Sequence, residues 1–260
     1  FDLGMLCFSP QIWASDNTDP IERLKIQGGL SLFYPPSTLA AHVSAAPHQQ
    51  TLRQTPLETR FNVACFGCLG YELNLHDLDS LDRKVIADQI EFYKKYRPLF
   101  QFGRFYRLSP IKRNQVGWQV VLPDQSQSIA GLFQTLAEAA PPFDRLALTG
   151  LLSESFYEVS TRPQKLRIKS FGALINYLLP VRLRPDGPLL SLANRLISLP
   201  DCVERYEGSG RQLQEGIFLH DAFTGTGYNE RVRMMGDFGS YLYVIKVLIN
   251  EKKGKRSNQL

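Results

Sequence analysis

Hydrophobic positions change their period along this chain. Up to about residue 100 they recur every three or four residues between short apolar runs, the mark of helices alternating with strands. Beyond about residue 103 they come in short β-like runs separated by turn signals. In the first part, residues 5–9 read as the end of a helix and residues 11–15 as a strand. Asp19, Pro20 and Glu22 form an N-cap, a proline at the first helical position and a capping-box partner. A helix is therefore predicted over 20–27, with Ile21, Leu24 and Ile26 facing inward and Gly28-Gly29 ending it. Residues 30–34 are β-compatible until Pro35-Pro36 stops them. Residues 40–45 suit a strand or the loop after one, and 46–56 a loop. Helices are predicted over 59–69 and over 81–96, the second closed by Pro98. In the second part, strands are predicted at 104–108, 117–122, 128–136, 145–149, 156–159, 189–192 and 239–248. Residues 171–180 and 194–199 fit either a strand or a short helix. The second part as a whole reads as an antiparallel sandwich.

Composition narrows the class of function. The chain has 260 residues, 43% hydrophobic and 21% charged, room for one large domain or two modest ones. Of the formal net charge of +5, three units come from the last ten residues, where Lys252, Lys253, Lys255 and Arg256 oppose Glu251. That tail reads as a solvated terminus, and the rest carries no nucleic-acid footprint. Arg83-Lys84 and Lys94-Lys95-Tyr96-Arg97 read as a solvated helix face. No apolar run approaches the roughly 18 residues of a membrane span. Cys7, Cys65, Cys68 and Cys202 are read as small buried hydrophobes in a reducing, cytoplasmic setting. His48, His76 and His220 lack ligand spacing, so no metal is expected. Gly225-Thr226-Gly227 has neither the length nor the lysine of a P-loop and reads as a turn or bulge.

The candidate chemistry lies in the loop after the first predicted strand. Asp19 has a capping job; Asp16 has none. Asp16 stands where an apolar strand gives way to a loop, which is where parallel α/β folds carry their catalytic side chains. The competing reading is an Asx-turn that opens the loop. Ser15 and Asn17 flank the carboxyl and suit either a substrate hydroxyl or the carboxyl itself. Trp13 suits the core or an aromatic wall for a sugar, with the core preferred. His42 suits a pocket wall or a hydrogen-bonded structural role.

Several longer stretches resemble one family. They are Phe1-Asp2-Leu3-Gly4-Met5-Leu6, Gln11-Ile12-Trp13 through Asp19, Ile21-Glu22-Arg23-Leu24-Lys25-Ile26-Gln27 and Tyr34-Pro35-Pro36-Ser37. Ala41-His42-Val43-Ser44-Ala45, Thr55-Pro56-Leu57-Glu58-Thr59-Arg60, Phe66-Gly67, Gly70-Tyr71-Glu72-Leu73 and Gln101-Phe102-Gly103-Arg104-Phe105-Tyr106 continue the series. Near the other end come Gly225-Thr226-Gly227-Tyr228-Asn229 and Gly236-Asp237-Phe238-Gly239-Ser240. Together they resemble the late barrel and C-terminal domain of glycoside hydrolase family 36, the large bacterial α-galactosidases. Ala14, where Thr is more usual, and Pro20, where Ala is more usual, depart from the pattern without touching the motif's acid.

The resemblance implies a retaining α-galactosidase acting on melibiose- and raffinose-type sugars, with no cofactor and with a homotetrameric parent enzyme. Retention needs two carboxyls about 5–5.5 Å apart, a nucleophile and a general acid/base. The family's acid/base maps onto Asp16, with Ser15, Asn17 and Trp13 beside it. The family's nucleophile sits in a Lys-Trp-Asp segment, and neither Trp13 nor Trp118 is followed by Asp. The chain is therefore expected to be the C-terminal part of a longer enzyme and to be inactive alone. The alternatives left open are a non-catalytic remnant serving assembly or sugar binding, and transglycosylation at the same site. The expected architecture is α/β plus β: the C-terminal part of a (β/α)8 barrel over 1–102, an antiparallel β-sandwich over 103–250 and a basic tail over 251–260. A barrel cut open in this way should show a free parallel edge and uncovered apolar faces.

Overall fold

The computed structural model describes residues 2–110, 112–177, 182, 184, 187–225 and 228–248. The basic tail, Thr226 and Gly227 lie outside the described residues.

The first part is a fragment of parallel sheet carrying helices. Helix α1 (Pro20–Leu30) starts at Asp19, whose carboxylate accepts the N–H groups of Ile21 and Glu22 at 2.9 and 3.2 Å. Only half of the expected capping box forms, because the Asp19 N–H goes to Asn17 Oδ1 at 3.1 Å. The helix also continues past Gly28-Gly29 for one more residue, and Ser31 caps it on Gln27. Residues 31–34 form turns rather than strand. Strand β1 (Ala40–Ser44) pairs in parallel with β2 (Cys68–Glu72), with His42 opposite Gly70. Between them lies α2 (Leu57–Ala64). The helix predicted over 59–69 therefore ends early. Gly67 allows the break: a Cβ there would stand 2.7 Å from the Leu39 carbonyl, and Cys68 N–H bonds that same carbonyl at 2.8 Å. The expected strand at 11–15 is reduced to one parallel bridge, Ile12 with Leu39.

Helix α3 (Ser80–Phe102) passes through Pro98 instead of stopping there. Burial of Tyr93, Tyr96, Leu99 and Phe100 along one side offsets the hydrogen bond that proline removes. Gly103 ends the helix on the Leu99 carbonyl.

The second part centres on one antiparallel sheet of six strands. These are β3 (Arg104–Leu108), β4 (Gln115–Val121), β5 (Gln127–Gln134), β7 (Phe156–Thr161), β10 (Arg205–Ser209) and β12 (Ser240–Val247). Their order is β10-β7-β12-β5-β4-β3. Shorter pairs accompany them: β6 (Arg145–Leu146) with β11 (Ile217–Phe218), and β8 (Lys165–Arg167) with β9 (Ser198–Pro200). Residues 189–192, expected as strand, belong to helix α4 (Pro188–Leu196), which opens with Pro188 at its first position. Helix α5 (Gly210–Glu215) starts at the Ser209 and Gln212 capping box. Residues 171–177 of the ambiguous 171–180 stretch belong to a 3-10 helical segment, and 178–180 lie outside the described residues.

Each face of the six-stranded sheet has its own core. One face presents Trp118, Val120, Ile129, Phe133, Leu242 and Val244 to Phe61, Phe66, Tyr96 and Phe100 of the parallel part. Phe66 is the hub, edge-on to Phe100, Phe105, Trp118 and Phe133 at centroid distances of 5.3–6.3 Å. The other face presents Ala130, Leu132, Tyr157, Tyr241, Tyr243 and Ile245 to Leu146, Leu148, Leu213 and Leu219. The covering layer is thus a short strand pair, α5 and loops rather than a second broad sheet.

A buried ionic cluster holds that layer. Asp144 bridges Lys112 Nζ at 2.6 Å and Arg233 Nη2 at 2.5 Å, with all three side chains at most 2% exposed. Glu204 accepts Tyr206 and Tyr243 hydroxyls at 2.6 and 2.9 Å and faces Arg233 Nε at 3.8 Å. Burial pushes the Asp144 carboxyl up, but Arg233, Lys112 and Gln115 together hold it below the usual carboxylate range. A depressed folded value means stability that is present at neutral pH and is lost as pH falls through the carboxylate range. Asp144→Asn is therefore expected to lower neutral-pH stability and to flatten the acid limb below about pH 4, measured by urea unfolding at stepped pH. Phe66→Ala is expected to cost about 3–5 kcal/mol and to shift one cooperative transition of the whole chain. Two separate transitions would show that the two parts fold independently.

Candidate active site

Asp16 sits at the turn between the Ile12 bridge and α1, with an exposed carboxyl. The turn is fastened from below. Ser15 Oγ accepts the Asn17 N–H at 3.1 Å. The Arg23 guanidinium, 2% exposed, reaches the Ser15 carbonyl at 3.5 Å and also bonds the Ala40 carbonyl of β1. Its partners are neutral oxygens, including Gln27 Oε1 at 3.3 Å, and burial lowers its pKa. One side chain thus ties the Asp16 turn to the neighbouring strand.

Asp19 ties it to the following loop. Its carboxylate is fully buried and accepts Arg53 Nη1 at 2.5 Å and Thr51 Oγ1 at 2.8 Å besides the two helix N–H groups. Arg53 also reaches Glu22 at 3.5 Å and lies 5.4 Å over the Phe238 ring. His48, buried at 3%, bonds Thr18 Oγ1 through Nε2 at 3.1 Å, which is a structural role. The loop over 46–56 is therefore pinned against the start of α1.

Trp13 is 44% exposed and does not belong to the core, contrary to the preferred reading of the sequence. The sheet has no strand on its far side to cover it among the described residues. Its indole Nε1 donates to Asp16 Oδ1 at 2.7 Å. The ring stands edge-on to His42, with centroids 4.6 Å apart. His42 Nδ1 faces Glu72 Oε2 at 3.7 Å. Asp16, Trp13, His42 and Glu72 thus stand together at the exposed end of the parallel fragment. Ser15 and Asn17 are engaged in the turn itself, through Ser15 Oγ and Asn17 Oδ1.

The sequence alone missed Arg23, Arg53, Gly70 and Glu72. Arg23 carries a readable signal only as a cation beside a capped helix start. Glu72 becomes visible only once β1 and β2 are in register. Cys65 is buried with its thiol toward the Asn62 carbonyl, and burial pushes it up to a thiol that stays protonated. Cys7 is exposed, against expectation. Among the described residues no group of three or more His, Cys, Asp or Glu is placed to hold a metal, and no helix is long and apolar enough to cross a membrane.

The Melibiase family pattern matches residues 1–103, and the pattern described as the glycosyl hydrolase family 36 C-terminal domain matches 115–245, half of the chain. The chain belongs to glycosyl hydrolase family 36. It is 49% identical over 159 residues to Alpha-galactosidase 1 of Pediococcus pentosaceus, covering 61% of this chain and 22% of that protein. Alpha-galactosidase AgaA of Geobacillus stearothermophilus is 48% identical over 160 residues, with the same coverage. The crystal structure of an AgaA variant with raffinose superposes with a TM-score of 0.70 at 34% identity, over 95% of this chain and 27% of that one. An α-galactosidase of Lactobacillus brevis superposes with a TM-score of 0.70 at 33% identity, over 96% and 28%. This family 36 chain spans roughly a quarter of the length of these relatives. Its parallel fragment and mostly antiparallel sheet fit part of a barrel followed by a β-domain.

Removing the Asp19 carboxylate leaves Arg53, Thr51 and two helix N–H groups without their acceptor. Asp19→Ala is expected to cost about 3 kcal/mol or more in chemical denaturation. Arg53→Ala should cost less, about 1–2 kcal/mol, because the helix cap survives.

Proposed function

We propose that this family 36 chain supplies the general acid/base of a retaining α-galactosidase. The observation that carries the reading is Asp16, an exposed carboxyl with a defined orientation in the turn that follows the Ile12 parallel bridge. Such an enzyme removes terminal α-linked galactose from melibiose- and raffinose-type sugars in two displacements. In the first, a nucleophilic carboxylate attacks the anomeric carbon while the Asp16 carboxylic acid protonates the departing glycosidic oxygen. In the second, the Asp16 carboxylate takes a proton from water, which attacks the same carbon and releases galactose. The hydrogen bond from Trp13 costs nothing at the moment of reaction because it is already made.

The nucleophile in this reading comes from a segment that these 260 residues do not include. The C-terminal part of a barrel followed by a β-domain would then be the specific architecture, with Asp16 facing a carboxylate contributed from an earlier barrel strand. The two carboxyls would stand about 5–5.5 Å apart, the spacing retention requires.

The test uses nitrophenyl α-galactoside. The 260-residue chain alone is expected to release no nitrophenol. Joined behind the upstream barrel segments of the Geobacillus relative, it should turn over the substrate. Asp16→Asn in that chimera should lower turnover by about 10³-fold. Azide should restore activity to Asp16→Ala, because a small anion needs no general base to attack the galactosyl-enzyme. Activity of the chain alone that depends on Asp16, or a chimera indifferent to Asp16→Asn, would overturn the assignment.

A further inference from the structure

We propose that Trp13 is the positioning residue that decides which oxygen of Asp16 carries the transferred proton, and that His42 sets where Trp13 stands. The inference rests on the reading of Asp16 as the acid/base. An indole N–H donates and cannot accept. With Trp13 Nε1 at 2.7 Å from Oδ1, that oxygen must act as an acceptor whether the carboxyl is charged or neutral. In the neutral acid the carbonyl oxygen is the stronger acceptor, so the indole takes that oxygen and the proton is carried on Oδ2, which no donor reaches among the described residues. The hydrogen bond leaves the proton-bearing oxygen free to meet the substrate. It also keeps the carboxyl from rotating between its two equivalent orientations.

The indole is held in turn by the strands behind it. Its edge-to-face contact with His42 at 4.6 Å and 61° fixes the ring plane. His42 is the central residue of β1 and lies across Gly70 of β2. A Cβ at Gly70 would come within 2.5 Å of His42 Cδ2 and Nε2, so the imidazole occupies the space a side chain would take. His42 Nδ1 is buried and has no hydrogen-bond partner; Glu72 Oε2 at 3.7 Å is its charged neighbour. Glu72 lies two residues beyond Gly70 on the same side of β2. Register between β1 and β2 is thereby transmitted through His42 and Trp13 to the carboxyl of Asp16.

Two measurements test this. The first uses the 260-residue chain, which has two indole N–H signals in a ¹H–¹⁵N spectrum. Trp13→Phe assigns them. Asp16→Ala should move the Trp13 signal upfield and speed its hydrogen exchange, and His42→Ala should move it as well, while Trp118 stays put. A Trp13 signal indifferent to both substitutions overturns the proposal. The second uses the chimera with its upstream segments. Trp13→Phe should lower kcat about tenfold on raffinose, whose leaving group needs protonation, as part of the ~10²–10⁴ that general acid catalysis supplies. On an aryl galactoside with an acidic phenol it should change kcat about twofold at most, with KM steady in both cases. Equal loss on both substrates would make Trp13 merely structural. Indifference to Trp13→Phe in a chimera that Asp16→Asn inactivates would overturn this proposal and leave the role of Asp16 intact.

Discussion

The aromatic packing around Phe66 is what makes one body of two unlike halves. A strip of parallel sheet two strands wide has too little apolar area of its own to stay folded. It gains that area by laying α2 and α3 on the antiparallel sheet, with Phe66 seated among Phe100, Phe105, Trp118 and Phe133. Polar contacts follow the same seam. Asn62 of α2 bonds Gln164 and Ser240 at 2.8 and 2.9 Å, and Glu58 pairs with Arg162. The β-domain is therefore the floor on which the end of the parallel fragment, and with it the candidate active site, is held still.

From that floor the site rises through buried charges rather than apolar contacts. Arg23 joins the Asp16 turn to β1, and Asp19 joins it to the loop over 46–56. Both are costly groups to bury, and both have several partners fixed by the fold. The turn that bears the surface carboxyl is thus held by groups that are themselves buried.

Local chemistry explains what could be read from the sequence. The Asp19-Pro20 helix start, the β-like runs beyond residue 103 and the odd position of Asp16 each rest on neighbours within a few residues. The errors arise where distant contacts decide. Residues 65–69 continue a helical pattern until Leu39 offers its carbonyl as a ladder partner. Pro98 should stop α3, but four buried side chains on one face carry the helix past it. Trp13 looked like core because an aromatic between Ile12 and Ala14 on a strand generally is, and only the open edge of the sheet exposes it. Glu72 and Arg53 had no sequence signal at all, since their partners lie about thirty residues away.

Gly70 carries a consequence for how such a chain can change over generations. With the imidazole of His42 resting on its bare Cα, position 70 accepts a larger residue only if that ring moves. Either a displaced ring or a smaller residue at 42 alters the edge contact on which the indole of Trp13 rests. Replacement at 42 and at 70 is thereby coupled, and a change in either strand is felt at the surface turn that carries Asp16.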